Sequence, residues 1–139
     1  MKVYLTLVSI LIISLLSVAC SKCGGEWQDI TWKLISYGLS GNLQTPVENT
    51  DITAQFDSEG KRVTGSSGCN SYFADYSFDS SKCGLEISAI GATKKACLEP
   101  GVMQQEQKYF ELLQRAESLK VTGDELRIIC GADVLVYMR

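Results

Sequence analysis

The chain has no histidine among its 139 residues, only two prolines, and no excess of basic residues. Without histidine there is no Ser-His or Cys-His pair, and the commonest general base near neutral pH is missing. Thirteen Lys and Arg against sixteen Asp and Glu give a formal net charge of -3, so no basic face offers itself to nucleic acid. The glycines do not gather into a phosphate-binding loop, and no second CxxC accompanies the Cys20/Cys23 spacing. The carboxylate pairs Asp57 with Glu59 and Asp124 with Glu125 fall in turn-like stretches and lack the ligand spacing of an EF-hand. These absences leave no catalytic set, no metal site and no cofactor to expect, and no internal repeat or low-complexity stretch is present.

The first twenty residues differ from everything after them. Lys2 is their one charge, Val3 to Val18 is apolar apart from Tyr4, Thr6 and three serines, and Ala19-Cys20 ends the run. A charged start, an apolar stretch and a small residue before the cut describe a secretory signal. A spanning helix needs roughly 20 apolar residues and a basic flank, and Ser21-Lys22-Cys23-Gly24-Gly25 makes a weak flank. Leu16-Ser17-Val18-Ala19-Cys20 resembles a bacterial lipobox, in which the cysteine thiol receives diacylglycerol and the signal is cut before it. The resemblance implies a signal peptide over 1–19, lipidation at Cys20, and a lipidated tether over 20–26 ahead of a domain at 27–139. Two or three acyl chains on one residue would give a stable hold where one would not. An uncleaved anchor, or an ordinary secretory cut with Cys20 in a disulfide, are the competing readings. The address expected is the cell envelope, with the domain outside the cytoplasm and the anchor in the outer membrane if the host has one.

Six cysteines behind an export signal point to an oxidising compartment. With Cys20 set aside, Cys23, Cys69, Cys83, Cys97 and Cys130 are odd in number, so at least one is free or paired between chains.

The mature part alternates with period two. Ile30, Trp32 and Leu34 share one face, as do Ile52, Ala54 and Phe56, then Tyr72, Ala74, Tyr76 and Phe78, then Leu85, Ile87 and Ala89. Glu99-Pro100 marks a helix entrance, after which Val102, Met103, Tyr109, Phe110, Leu113 and Ala116 form an apolar stripe at helical spacing. Gln104, Gln105, Gln107, Lys108, Glu111 and Gln114 are expected on the solvent side. Gly123-Asp124 and Gly131-Ala132-Asp133 then turn three closing strands, the last carrying Val134, Val136 and Met138 on one face. Seven or eight antiparallel strands and one packed helix predict a mainly β fold, a strongly curved sheet or partly closed barrel.

Gly65-Ser66-Ser67-Gly68-Cys69-Asn70 followed by Tyr72 resembles the G-x-x-G-C-N-x-[YF] signature of META domains. Thr93-Lys94-Lys95-Ala96-Cys97 resembles the second signature, T-x-M-A-C, with Lys95 where Met is common. Trp32-Lys33-Leu34, Tyr109-Phe110, Leu119 and Gly123-Asp124-Glu125-Leu126 resemble the opening and the closing third of the same family. The resemblance spans about residues 27 to 139. It implies a lipocalin-like barrel carrying a helix, and a biochemical role linked only loosely to stress and motility, as in heat-inducible lipoproteins.

Each signature carries a cysteine, so Cys69 with Cys97 is the first pair expected, stabilising the fold by roughly 3–4 kcal/mol in the chain-entropy picture. Cys83 with Cys130 is the second, leaving Cys23 unpaired, and Cys23 with Cys130 stays open. Gly65, Gly68, Asn70 and Thr93 read as residues that set backbone conformation and turns. Three functions compete. One is a non-catalytic envelope module that binds a protein. The second is a small-ligand carrier using a barrel interior lined by Tyr72, Tyr76 and Tyr109. The third is a hydrolase built on Ser66 or Ser67 with Lys94 or Lys95, which requires a buried lysine.

Overall fold

The computed structural model describes residues 22–139, so the expected signal peptide and the lipidation expected at Cys20 lie outside the described residues. Ten strands and one helix follow in chain order. They are β1 (Thr31–Leu39), β2 (Asn42–Gln44), β3 (Thr53–Asp57), β4 (Arg62–Ser66), β5 (Ser71–Asp79), β6 (Gly84–Ile87) and β7 (Gly91–Ala92). Then come α1 (Val102–Gln114), β8 (Ser118–Thr122), β9 (Glu125–Cys130) and β10 (Asp133–Met138).

All pairings are antiparallel, as the short turns require. The strand order β10-β9-β8-β6-β5-β4-β3-β1 closes on itself because β10 also pairs with β1, from Lys33↔Met138 to Leu39↔Asp133. A ring-like, strongly curved sheet results, with β2 and β7 as short additions beside β1 and β5. Its thinnest join is β6 to β8, where Gly84 meets Ser118 and the Leu119 amide donates to the Cys83 carbonyl. Closure removes the unpaired edges that would invite other chains.

Most alternating residues point where period two puts them, but β6 ends at Ile87 and Ala89, expected on its inner face, is exposed. Trp32, Leu34, Ile52, Ala54, Phe56, Tyr72, Ala74 and Tyr76 are all buried in one core. Trp27 enters the same core, edge-on to Phe56, Tyr76 and Phe78, and its carbonyl accepts the Trp32 indole N–H at 2.8 Å. β10 departs from alternation, since Val134, Leu135, Val136 and Tyr137 are all buried, and the core cluster takes Leu135 and Tyr137 rather than Val134 and Val136.

The helix starts two residues later than its proline suggests. Pro100 precedes Gly101, which takes a left-handed φ of 85° as the N-cap, and Val102 is the first helical residue. Tyr109, Leu112 and Leu113 enter the core from α1. The helix is rotated from the expected facing, for Met103 is exposed while Gln105 and Glu106 are buried.

The second disulfide differs from the expected Cys83–Cys130 pair. Cys83 bonds Cys23, with Cα atoms 5.3 Å apart, and Cys130 is a buried free thiol. β8 lies between β6 and β9, which puts Cys83 and Cys130 about two strand spacings, or roughly 10 Å, apart. A disulfide spans less than about 7 Å between Cα atoms. Cys23, by contrast, runs alongside β8, where its carbonyl accepts the Val121 amide at 2.8 Å. The tether is thus part of the fold from Cys23 onward.

Candidate functional site

The signature residues gather at one end of the ring, around a carboxylate that the helix supplies. Strand β4 ends in a tight turn in which the Ser67 amide and hydroxyl both reach the Asn70 carbonyl at 2.8 Å and the Asn70 amide donates to the Ser67 hydroxyl at 3.1 Å. Gly68 sits in that turn at φ 93°, a conformation side chains strain to adopt. Gly65 has a different reason to be glycine. A Cβ there would lie 2.0 Å from the Thr53 carbonyl oxygen on the neighbouring strand.

Glu106 reaches this turn from the first half of α1. Its Oε2 accepts the Ser67 hydroxyl and, at 3.1 Å, the Asn70 amide, while the Asn70 side-chain amide donates to Oε1 at 2.9 Å. The Asn70 Oδ1 in turn accepts the Thr93 hydroxyl at 2.8 Å and the Lys95 amide at 2.7 Å. Gln105 extends the network. Its amide donates to Thr50 Oγ1 at 3.0 Å and its carbonyl accepts the Val47 amide at 2.6 Å. The disulfide Cys69–Cys97, with Cα atoms 6.0 Å apart, ties the first signature to the second beside this cluster.

Among the described residues no buried side-chain polar atom lacks a partner. A buried polar network in this state is a lock, because every donor is already committed. Ser67 is fully buried and donates to Glu106, and neither Lys94 nor Lys95, both exposed, hydrogen-bonds to Ser66 or Ser67. The structure therefore does not bring the serines and lysines together as a dyad.

The interior beyond the cluster is filled. Tyr72, Tyr109 and Tyr137 chain their hydroxyls at 2.7 and 3.1 Å, and Tyr72 donates onward to the Thr53 carbonyl at 2.9 Å. Burial raises all three phenols well above their ordinary range. Burial likewise pushes the Cys130 thiol up to about 12, with Asp133 and Glu117 adding to the shift against Arg115. Of the tyrosines expected to line a ligand cavity, Tyr72 and Tyr109 are buried in this chain of hydroxyls, whereas Tyr76 borders an open surface depression with Asp75, Ser77, Glu86, Ile87 and Ser88. Among the described residues no three His, Cys, Asp or Glu side chains are grouped to hold a metal ion.

Sequence reasoning read Gly65, Gly68, Asn70 and Thr93 as setting backbone conformation and turns, and missed Glu106, which Ser67 and Asn70 hold. Glu106 stands four residues after Val102 and three before Tyr109, on the apolar stripe itself. A carboxylate at that spacing is the signal that could have found it.

The comparisons agree with this architecture. A solution structure of a protein from Burkholderia xenovorans superposes with a TM-score of 0.67 at 24% identity, over 81% of this chain and 82% of that one. A second solution structure gives a TM-score of 0.60 at 19% identity, over 80% and 89%. A crystal structure of a DUF4847 family protein from Bacteroides vulgatus gives 0.57 at 13%, over 79% and 92%. At these identities the likeness is one of fold. No curated protein matches. The sequence model of the META domain matches residues 26–139, nearly all of the described chain, and the protein belongs to the META domain family.

Proposed function

We propose that this protein is an exported lipoprotein, anchored through Cys20, whose META domain is a non-catalytic protein-binding module of the cell envelope with a stress-related role. The observation that carries the reading is the filled interior. Tyrosines occupy the space a carried ligand would need, and the buried polar groups of both signatures are spent on one another. The outer surface is then the working part of the molecule. Two disulfides support an oxidising, extracytoplasmic setting. Among the described residues no helix is long and apolar enough to cross a membrane. The carrier and Ser-Lys hydrolase readings gain no support from this packing, and we propose no enzymatic activity.

Crosslinking in intact cells, followed by purification from detergent-solubilised membranes, tests the reading. A stoichiometric protein partner that disappears in a Cys20→Ala variant is the expected result. A small molecule retained at native mass, with no protein partner, would replace this reading with the carrier.

A further inference from the structure

The Cys23–Cys83 disulfide sets how far the domain can stand from its anchor. Only Ser21 and Lys22 separate Cys20 from Cys23, so the two Cα atoms lie at most about 11 Å apart. Cys23 is not a free linker residue. It is bonded to Cys83, its carbonyl accepts the Val121 amide, and a Cβ on Gly24 would lie 1.9 Å from the Val121 oxygen, so the backbones there are in close contact. The headgroup layer of one leaflet is about 5–7 Å deep, which consumes much of that reach.

Resting on the proposed lipidation at Cys20, we propose that the end of the ring built from Cys23, the β5–β6 turn and the β8–β9 turn lies against the lipid headgroups. The turn residues Asp79, Ser80, Ser81 and Lys82, and Thr122, Gly123 and Asp124 across from them, carry no large apolar side chain. This face rests at headgroup level and does not enter the hydrocarbon. Strand β5 fixes where the rest points. Its Asp79 end leads to Cys83 and its Ser71 end adjoins Cys69, a separation of about 26 Å along the strand. The signature end, with the Cys69–Cys97 disulfide, exposed Lys94 and Lys95, and Leu98 at 95% exposure, is held away from the membrane. A short, disulfide-locked tether thereby presents one end of the ring to envelope partners and hides the other.

The test is lysine acylation by a membrane-impermeant reagent on the lipidated full-length protein in phosphatidylethanolamine and phosphatidylglycerol vesicles. A variant with a flexible spacer of about ten residues between Lys22 and Cys23, spanning about 18 Å on average, serves as reference. Non-reducing peptide maps check that both proteins hold both disulfides, and intact mass checks the lipid. The expected result is a Lys82-to-Lys95 labelling ratio several-fold lower with the native tether than with the spacer. Equal ratios in two lipidated proteins overturn the orientation and leave the anchor standing. A mass without lipid on Cys20 overturns the anchor, and the orientation with it.

Discussion

Glu106 is the residue on which the signature end depends. Its two oxygens take the Ser67 hydroxyl, the Asn70 amide and the Asn70 side chain, all in a buried site. Removing the acceptor strands those donors, and each unsatisfied buried group costs about 1–3 kcal/mol. Glu106→Ala is therefore expected to lower stability by about 3 kcal/mol in urea unfolding. Glu106→Gln should also destabilise, since its amide would bring a donor to a place where donors converge. A wild-type midpoint for Glu106→Ala would show that the cluster is incidental. Gly65→Ala, which drives a Cβ to 2.0 Å from the Thr53 carbonyl, is expected to cost about 3 kcal/mol by overpacking.

Alkaline behaviour is also set residue by residue. Cys130, Tyr72, Tyr109 and Tyr137 have folded pKa values raised above their unfolded ones, so the unfolded chain loses these protons first. Their stability contribution is complete below the unfolded values, near 9 for the thiol and 10 for the phenols, and is lost as pH rises beyond them. Urea midpoints should fall from pH 9 upward, and less steeply in Cys130→Ala. A flat alkaline profile would mean that these groups are solvated.

At the scale of elements, the period-two strands were legible because alternation records which face each side chain takes, and Trp32, Ala54, Phe56 and Tyr72 lie where it put them. The helix was legible as an element but not in its facing. Gln105 and Glu106 look like solvent residues, and only the neighbouring loop at Val47 to Thr50 and the turn at Ser67 to Asn70 give them partners. The docking of Cys23 was not legible for the same reason. Cys23 and Gly24 have no strand pattern, and their place beside Val121 is a tertiary contact that local sequence does not encode. Each disulfide closes a long loop, with sequence separations of 60 and 28. Replacing both Cys23 and Cys83 by Ser is expected to cost about 4 kcal/mol, measured by thermal and urea unfolding. A loss confined to a few tenths would show that β8 alone holds the tether.

For the whole molecule, a ring-like sheet closed over a packed aromatic core makes the outer surface the part that the proposed binding role would use. In the proposed reading the address of this META domain comes from lipidation of Cys20, while two crosslinks at opposite ends of β5 brace its shape. The most direct test of the account is a non-reducing mass and peptide map of the native protein extracted from cell membranes. The account predicts a chain that begins at a lipidated Cys20, holds Cys23–Cys83 and Cys69–Cys97, and keeps Cys130 as a thiol alkylated only after unfolding. A chain that retains Met1 with an unmodified Cys20 would contradict it.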